Sequence, residues 1–212
     1  MLKQLLVLFF ICITSLLTAQ NKDEEALNVI ETSEQARLFL KTKSSKENKI
    51  FTFNEEKHKT DLAKALFELE KGNIKSIRTE RDKTFYKVLE KSSKPYFRVS
   101  YIFLDGAKYS LESINKLRET LIEKHNNGSP FSFLAKQYSM DHNANRGGDT
   151  GWFTDGEMLT DFENIVISEH HELEAIYTID IPSKNWYYLV LQSHEPKDIS
   201  EIKVLKIVET AK

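Results

Sequence analysis

Residues 146–157 read RGGDTGWFTDGE and hold four of the chain's seven glycines. Glycine adopts left-handed backbone conformations at little steric cost, so this concentration predicts a tight loop. A phosphate-binding loop follows a strand, opens a helix and usually carries a Lys-Ser or Lys-Thr pair. Here a helical pattern precedes the glycines, and an aromatic pair, Trp152 and Phe153, follows the first three of them. The sequence therefore argues against a phosphate site.

The charged residues around this loop do not form a known metal-binding motif. His142, His170 and His171 lack the H-x-x-x-H and H-E-x-x-H spacings, and adjacent histidines face opposite sides of most elements. Five carboxylates between residues 149 and 163 indicate either a glycosidase pair or, more commonly, a solvated loop followed by a helix N-terminus. We therefore expect neither a metal ion nor a cofactor. The formal net charge of −2 argues against a nucleic-acid-binding surface.

The segment around the loop, residues 95–195, has the pattern of an α+β domain. Phe97, Val99, Tyr101 and Phe103 alternate along one face of a predicted strand. The remaining predicted elements are helices at 110–128 and 131–138, a helix opened by a T-D-F-E capping box at 160–163, and strands at 173–178 and 186–191. This order predicts an antiparallel sheet wrapped by helices.

A smaller α/β unit is predicted from residues 20–94, and residues 196–212 are predicted as a C-terminal tail. The predicted elements of the first unit include a strand at 26–30 and a hairpin that turns at Arg81-Asp82. The K-S-S-K run at 91–94 is the best candidate for a linker between the two units.

The two units also share a weak sequence similarity. Residues 71–79, KGNIKSIRT, align with residues 170–178, HHELEAIYT. The first unit is therefore either a shortened, degenerate copy of the second or an unrelated α/β unit, and the sequence leaves both open.

Residues 1–19 have the pattern of a secretory signal peptide. Lys3 precedes an apolar run, and Ala19 supplies the small residue before the expected cleavage site. Removal of this segment takes away Cys12, the only cysteine, so the mature chain has no disulfide and no thiol nucleophile. The rest of the chain has no apolar run of membrane-spanning length. We expect an exported protein, periplasmic or secreted, without stable membrane insertion once the signal is cleaved.

Residues 131–164, FSFLAKQYSMDHNANRGGDTGWFTDGEMLTDFEN, resemble the core of the parvulin-type (PpiC, or rotamase) peptidyl-prolyl cis/trans isomerases. In that family a helix ending in L-A-x-x-[YF]-S precedes an acidic residue or cysteine, then G-G-D-L-G-W-F, then G-x-M and F-E. The similarity extends over residues 96–195. It implies a parvulin-like antiparallel sheet wrapped by helices, no cofactor, and unfolded or proline-containing polypeptides as clients.

The resemblance also assigns residues to a site. Met158 and Phe162 form an apolar slot for the proline ring in this interpretation, with Phe153 beside them. Asp141 falls where the family has a cysteine or aspartate that faces the substrate amide. Thr150 replaces the usual leucine, which makes the slot slightly smaller and more polar. Without the resemblance, the two aromatic residues would be interpreted as core and Asp141 as a loop or cap residue.

Two positions that normally hold histidines on neighbouring strands carry Tyr101 and Tyr187, which join Asp141 as predicted catalytic residues. A tyrosine hydroxyl keeps a hydrogen bond but does not titrate near neutral pH, so we expect no histidine-linked pH dependence. Lys108 stands alone after the first strand, so no preference for phosphorylated clients is implied. The implied function is isomerisation of X-Pro bonds in unfolded or extended exported proteins. The alternative is a non-catalytic parvulin-like chaperone or peptide-binding module.

Overall fold

The computed structural model describes residues 22–43 and 45–210, so the predicted signal peptide at residues 1–19 lies outside the described residues. The described chain divides into two units. The first extends to Ser93 and resumes at Ile199, and the second is Lys94–Asp198. Within the two described ranges, no helix is long and apolar enough to cross a membrane.

Six α-helices, seven strands and two short 3-10 helices make up the described chain. In chain order they are α1 (Lys22–Asn28), α2 (Ser33–Lys41), β1 (Lys49–Asn54), α3 (Asp61–Phe67), β2 (Ile74–Arg78), β3 (Asp82–Tyr96), β4 (Ser100–Asp105), α4 (Leu111–Asn126), α5 (Phe131–Tyr138), a 3-10 helix (His142–Arg146), α6 (Thr160–Ser168), β5 (Ile176–Ile181), a 3-10 helix (Pro182–Lys184), β6 (Trp186–Leu191) and β7 (Lys197–Thr210).

The first unit is built on a four-stranded sheet with the strand order β1-β7-β3-β2. β1 pairs antiparallel with β7, from Lys49 opposite Lys206 to Asn54 opposite Glu201. β2 and β3 pair antiparallel as the predicted hairpin. The sheet has apolar residues on both faces: residues of α1 and α2 pack on one, and residues of α3 pack on the other.

Lys87 on β3 fixes the end of α1 by a buried contact. Its side chain is only 3% exposed, and its Nζ donates to the carbonyl oxygens of Leu27 (2.7 Å) and Asn28 (3.2 Å). The last carbonyls of a helix have no partner within the helix, so a buried ammonium group satisfies them and complements the helix dipole. Burial lowers the pKa of Lys87, while nearby Glu31 acts in the opposite direction.

Three local predictions for this unit differ from the structure. Residues 26–30, predicted as a strand, lie in α1 and the turn after it, because Leu27 and Ile30 share one helical face that packs into the core. Residues 91–94, predicted as a linker, continue β3. The predicted tail contains β7, whose apolar residues on both faces let it occupy the interior of the sheet.

The two units share a chain order but not a sheet order. Each has a strand, then helical structure, then a pair of antiparallel strands close in sequence. In the first unit β7 separates β1 from β3, whereas in the second unit β4 pairs directly with β6. The degenerate copy therefore stays a prediction.

The second unit contains a three-stranded antiparallel sheet with the order β4-β6-β5. Phe103 on β4 and Ile179 on β5 both lie opposite Tyr188 of the central strand. Side chains alternate between the two faces of a strand, so each face collects every second residue. One face packs on α4 and α5, and the other, here called the α6 face, packs on α6. The prediction of an α+β fold with antiparallel sheets is confirmed.

The glycine-rich loop extends this sheet along the outer edge of β4. Phe97 and Phe153 exchange backbone hydrogen bonds of 2.8 and 2.9 Å, and the Tyr101 N–H donates to the Gly148 carbonyl at 3.0 Å. Gly148 has φ +83°, and a Cβ there would collide with the Tyr101 carbonyl oxygen. Glycine is required at this position because the loop backbone lies directly against the strand.

Candidate active site

A half-buried carboxylate, Asp141, lies at the edge of the α6 face and is held by two hydroxyl groups. The Tyr101 hydroxyl donates to its Oδ2 at 2.7 Å, and the Ser139 hydroxyl donates to its Oδ1 at 3.0 Å. Ser139 is positioned in turn by the Phe103 N–H, which donates to its Oγ at 2.9 Å. The segment after α5 is thus tied to β4, and β4 orients the carboxylate.

Two tyrosines near Asp141 keep their protons well above neutral pH. Burial, followed by the hydrogen bond and charge of Asp141, raises the pKa of Tyr101. Burial and the charge of Asp141 raise the pKa of Tyr188 to about 12. Both side chains therefore present neutral phenol groups at physiological pH, which donate or accept hydrogen bonds without titrating.

The rings of these tyrosines meet Phe162 of α6 in a compact aromatic cluster. The Phe162 ring centroid lies 5.4 Å from that of Tyr101 and 5.0 Å from that of Tyr188. Met158, which is half-buried, packs against the same core cluster. Phe162 itself is only 2% exposed. The carboxylate of Asp141 thus lies beside an apolar wall, and a ligand reaches Phe162 only when a neighbouring side chain moves.

The structure does not bring Tyr187 to this site, which corrects the sequence prediction. Tyr187 lies on the opposite face of β6, in the core cluster with Leu104 and Leu121. Its ring lies under the buried guanidinium of Arg118, 5.6 Å from ring centroid to Cζ. The tyrosine on the α6 face is Tyr188, one residue later. The alternation of side chains along a strand means that a shift of one residue changes the face.

Phe153 and Thr150 support the loop in the structure. Phe153 is 3% exposed and belongs to the core cluster of the α6 face. The Thr150 hydroxyl donates to the Val99 carbonyl at 2.9 Å and accepts from the Val99 N–H at 3.2 Å. Its polar atom is therefore satisfied by the backbone of the chain leading into β4.

Glu163 organises the segment that carries Met158. Its carboxylate is 2% exposed and accepts three backbone N–H groups, from Gly156 (2.8 Å), Glu157 (3.1 Å) and Met158 (2.8 Å). Burial by itself raises the pKa of Glu163, but the N–H donors outweigh it and hold the pKa below its ordinary value. The sequence predicts a capping box here. Instead, Leu159 is the N-cap of α6 and Glu163 binds the residues before it.

Asp149 and Arg98 form a second anchor for the loop. Arg98 donates to both carboxylate oxygens, with Nε to Oδ1 at 2.9 Å and Nη2 to Oδ2 at 2.6 Å. The Gly151 N–H also donates to Asp149 at 2.9 Å. The Arg98 guanidinium holds the pKa of Asp149 below its ordinary value. In the sequence Asp149 is one of five carboxylates between residues 149 and 163. No local signal identifies Arg98, which lies 51 residues earlier, as its partner.

None of the residues in the two described ranges forms a group of three histidine, cysteine, aspartate or glutamate side chains that could hold a metal ion. The chemical groups brought together at this site are one carboxylate, two phenols and an apolar wall. Such a set can bind a polar amide next to a compact apolar ring.

Residues 83–179 match the family model described as the PPIC-type PPIASE domain. This region belongs to the parvulin-type family. The match confirms the resemblance carried by the glycine-rich stretch. The parvulin-type region includes β4, the loop, α6 and most of β5, and therefore contains Tyr101, Asp141 and Phe162.

Curated relatives share modest identity with this chain. It is 30% identical over 156 residues to the foldase protein PrsA of Geobacillus sp. (strain WCH70), covering 71% of this chain and 51% of that protein. It is 29% identical over 101 residues to the chaperone SurA of Legionella pneumophila (strain Lens), covering 46% of this chain and 22% of that protein. The chain thus spans about half or less of the length of these relatives.

Two solved structures are also similar in part to this chain. PrsA from Bacillus anthracis is 28% identical, with 50% of this chain and 44% of that chain covered and a TM-score of 0.37. The parvulin NmPin of Nitrosopumilus maritimus is 25% identical, with 47% of this chain and 96% of that chain covered and a TM-score of 0.37.

Proposed function

We propose that the parvulin-type domain is a peptidyl-prolyl cis/trans isomerase that acts on X-Pro bonds of unfolded or extended exported polypeptides. The observation that carries the proposal is the 2.7 Å hydrogen bond from Tyr101 to Asp141 beside the aromatic wall of Phe162. Together these groups offer one polar partner for an amide and one apolar partner for a proline ring.

The reaction makes limited demands on such a site. Rotation about an X-Pro bond faces a barrier of about 20 kcal/mol because the amide loses resonance. A 10⁴-fold acceleration needs about 5 to 6 kcal/mol of preferential binding to the twisted amide. In the proposed mechanism Asp141 and the phenol of Tyr188 face the amide, and Tyr101 holds Asp141 in place. No bond is made or broken, so neither a nucleophile nor a metal ion is needed.

The proline ring is proposed to lie between Met158 and Phe162. Phe162 is almost fully buried, so the ring gains contact with it only when a more exposed neighbour gives way. Met158 suits this role because its unbranched thioether side chain adopts several shapes at low cost. Glu163 fixes the backbone of Met158 while leaving the side chain free to move.

Two further parts of the proposal concern clients and location. The relatives are a foldase and a chaperone by name, which supports unfolded polypeptides as clients. Export rests on the signal-peptide pattern of residues 1–19. We propose the periplasm or the extracellular space on that basis.

A non-catalytic chaperone is the second candidate. Tyr101 and Tyr188 provide no titrating group, and Phe162 is covered, so the same site is also suited to holding a client without rotating its amide. A protein that acts in this way suppresses aggregation at stoichiometric amounts and leaves the rate of proline-limited refolding unchanged.

Refolding of a protein limited by prolyl isomerisation separates the two candidates. Residues 20–212 at substoichiometric concentration should shorten a relaxation that takes tens to hundreds of seconds unaided. Asp141→Asn and Met158→Ala should each remove most of the acceleration. Tyr187→Phe is the matched control, since Tyr187 lies on the opposite face of the sheet, and should act like the wild type. No acceleration by the wild type, together with suppressed aggregation, would replace the catalytic proposal with the chaperone.

A further inference from the structure

The aromatic cluster at the proposed slot continues along the α6 face. Beyond Tyr188 the next ring is Phe103, with a centroid separation of 5.2 Å. Trp186 follows, with its ring edge-on to Phe103 at 5.7 Å. Phe103 and Trp186 are only partly buried, in contrast to Phe162, and we call this pair the aromatic shelf.

The register of the sheet sets the position of the shelf relative to the slot. Trp186 lies two residues before Tyr188 on β6, which corresponds to about 6 to 7 Å along an extended strand. The Phe162 ring lies 5.0 Å from the Tyr188 ring. The distance from slot to shelf is therefore on the order of 10 Å, which an extended peptide covers in two or three residues.

One acidic and one basic side chain lie near the aromatic shelf, so their charges offset each other. Asp105 lies opposite Trp186 across the β4 and β6 pairing, and its carboxylate accepts the Ala107 N–H at 2.9 Å. The Lys184 Nζ lies over the Trp186 ring, 5.5 Å from its centroid, which is within the range of a cation–π contact. The two charges are opposite in sign, so the shelf selects by apolar contact and ring stacking.

We propose that Phe103 and Trp186 form a second binding subsite, which takes an aromatic or branched aliphatic side chain two or three residues from the proline of an extended client. This inference rests on the proposed function, because the slot defines where the proline lies. Stacking on a partly exposed tryptophan is a common mode of binding for such side chains. The aromatic shelf gives the site a preference for clients with such a side chain near the proline, which the proline slot alone does not provide.

Peptide binding tests the subsite without relying on catalysis. A labelled peptide with one proline among alanines is compared with peptides that carry a single phenylalanine one, two or three residues before or after the proline. Binding to residues 20–212 is followed by fluorescence anisotropy. We expect phenylalanine at a spacing of two or three residues, on one side of the proline, to tighten binding about three- to tenfold.

Variants identify the residue that produces this gain. Trp186→Ala and the more conservative Trp186→Leu should remove most of it and leave binding of the all-alanine peptide unchanged. Trp152→Phe is the control, since it retains the gain and leaves Trp186 as the only tryptophan. In that variant the emission of Trp186 should shift when the phenylalanine peptide binds.

The result is independent of the refolding assay. If no phenylalanine position tightens binding, or if the gain persists in both Trp186 variants, the subsite is overturned whatever the isomerase activity proves to be. If the gain depends on Trp186 but refolding is not accelerated, the subsite stands and the catalytic proposal falls.

Discussion

Glu163→Gln should weaken the second unit and loosen the segment that holds Met158. The glutamate accepts three backbone N–H groups through two oxygens, with Gly156 on Oε1 and the other two on Oε2. Glutamine has one accepting oxygen, and its NH₂ group would face at least one of those N–H donors. A hydrogen bond to a buried charged group contributes about 1.5 to 3 kcal/mol. We therefore expect the free energy of unfolding to fall by about 2 to 3 kcal/mol.

The loss of stability caused by Glu163→Gln should become smaller at acidic pH. The folded pKa of Glu163 lies below its ordinary value, so the ionised form is the one that the fold stabilises. Its contribution is fully present above the ordinary pKa of a glutamate, about 4.3, and is lost as the pH falls through the folded value. The difference between wild type and Glu163→Gln should be constant from pH 6 to pH 8 and shrink below about pH 4.

Urea unfolding followed by tryptophan fluorescence measures this change. Both tryptophans of the chain, Trp152 and Trp186, lie in the second unit, so their emission reports on that unit. Glu119→Gln, an exposed glutamate of α4, is the matched control and should shift the midpoint little. If Glu163→Gln unfolds within about 0.5 kcal/mol of the wild type at pH 7, the role assigned to the three N–H contacts is refuted.

Four further predictions test other parts of the structure. Lys87→Met leaves two helix carbonyls without their buried donor and should destabilise the first unit by about 1 to 3 kcal/mol, measured by hydrogen exchange of α1. Truncation after residue 196 removes β7 and should abolish the sheet signal of the first unit in far-ultraviolet circular dichroism and hydrogen exchange. Tyr101→Phe removes the 2.7 Å donor to Asp141 and should slow catalysed refolding about tenfold or more. Because the pKa values of Tyr101 and Tyr188 are raised, catalysed refolding should be flat from pH 6 to pH 9; a step near pH 6.5 would contradict this.

Features with a local cause were predictable from the sequence. The helices of the second unit follow from apolar periodicity, the β2 and β3 hairpin from its turn, and the loop from its glycines. A specific motif surrounds Asp141, Met158 and Phe162, and their roles at the site stay a prediction. In the structure Tyr101 contacts both Asp141 and Phe162, and Met158 packs against the core cluster that contains Phe162.

The remaining features depend on contacts between distant parts of the chain. Trp186 to Leu191 is apolar at every position because both faces of β6 are covered, so the sequence carries no alternation that separates Tyr187 from Tyr188. The three N–H donors to Glu163 belong to a segment whose path is set by the loop. Residues 196–212 are predicted as a tail, and nothing local indicates that β7 lies between β1 and β3.

The position of β7 also determines when the sheet of the first unit can be completed during synthesis. Lys49 of β1 pairs with Lys206 of β7, about 150 residues further along the chain. A ribosome adds about 5 to 20 residues per second, so β1 waits on the order of ten seconds for its neighbour. The whole second unit is synthesised during that interval, while β1 and β3 have strand edges that are open to pairing with other chains. The protein itself thus exposes unpaired strand edges during synthesis, as do the unfolded polypeptides that are proposed as its clients.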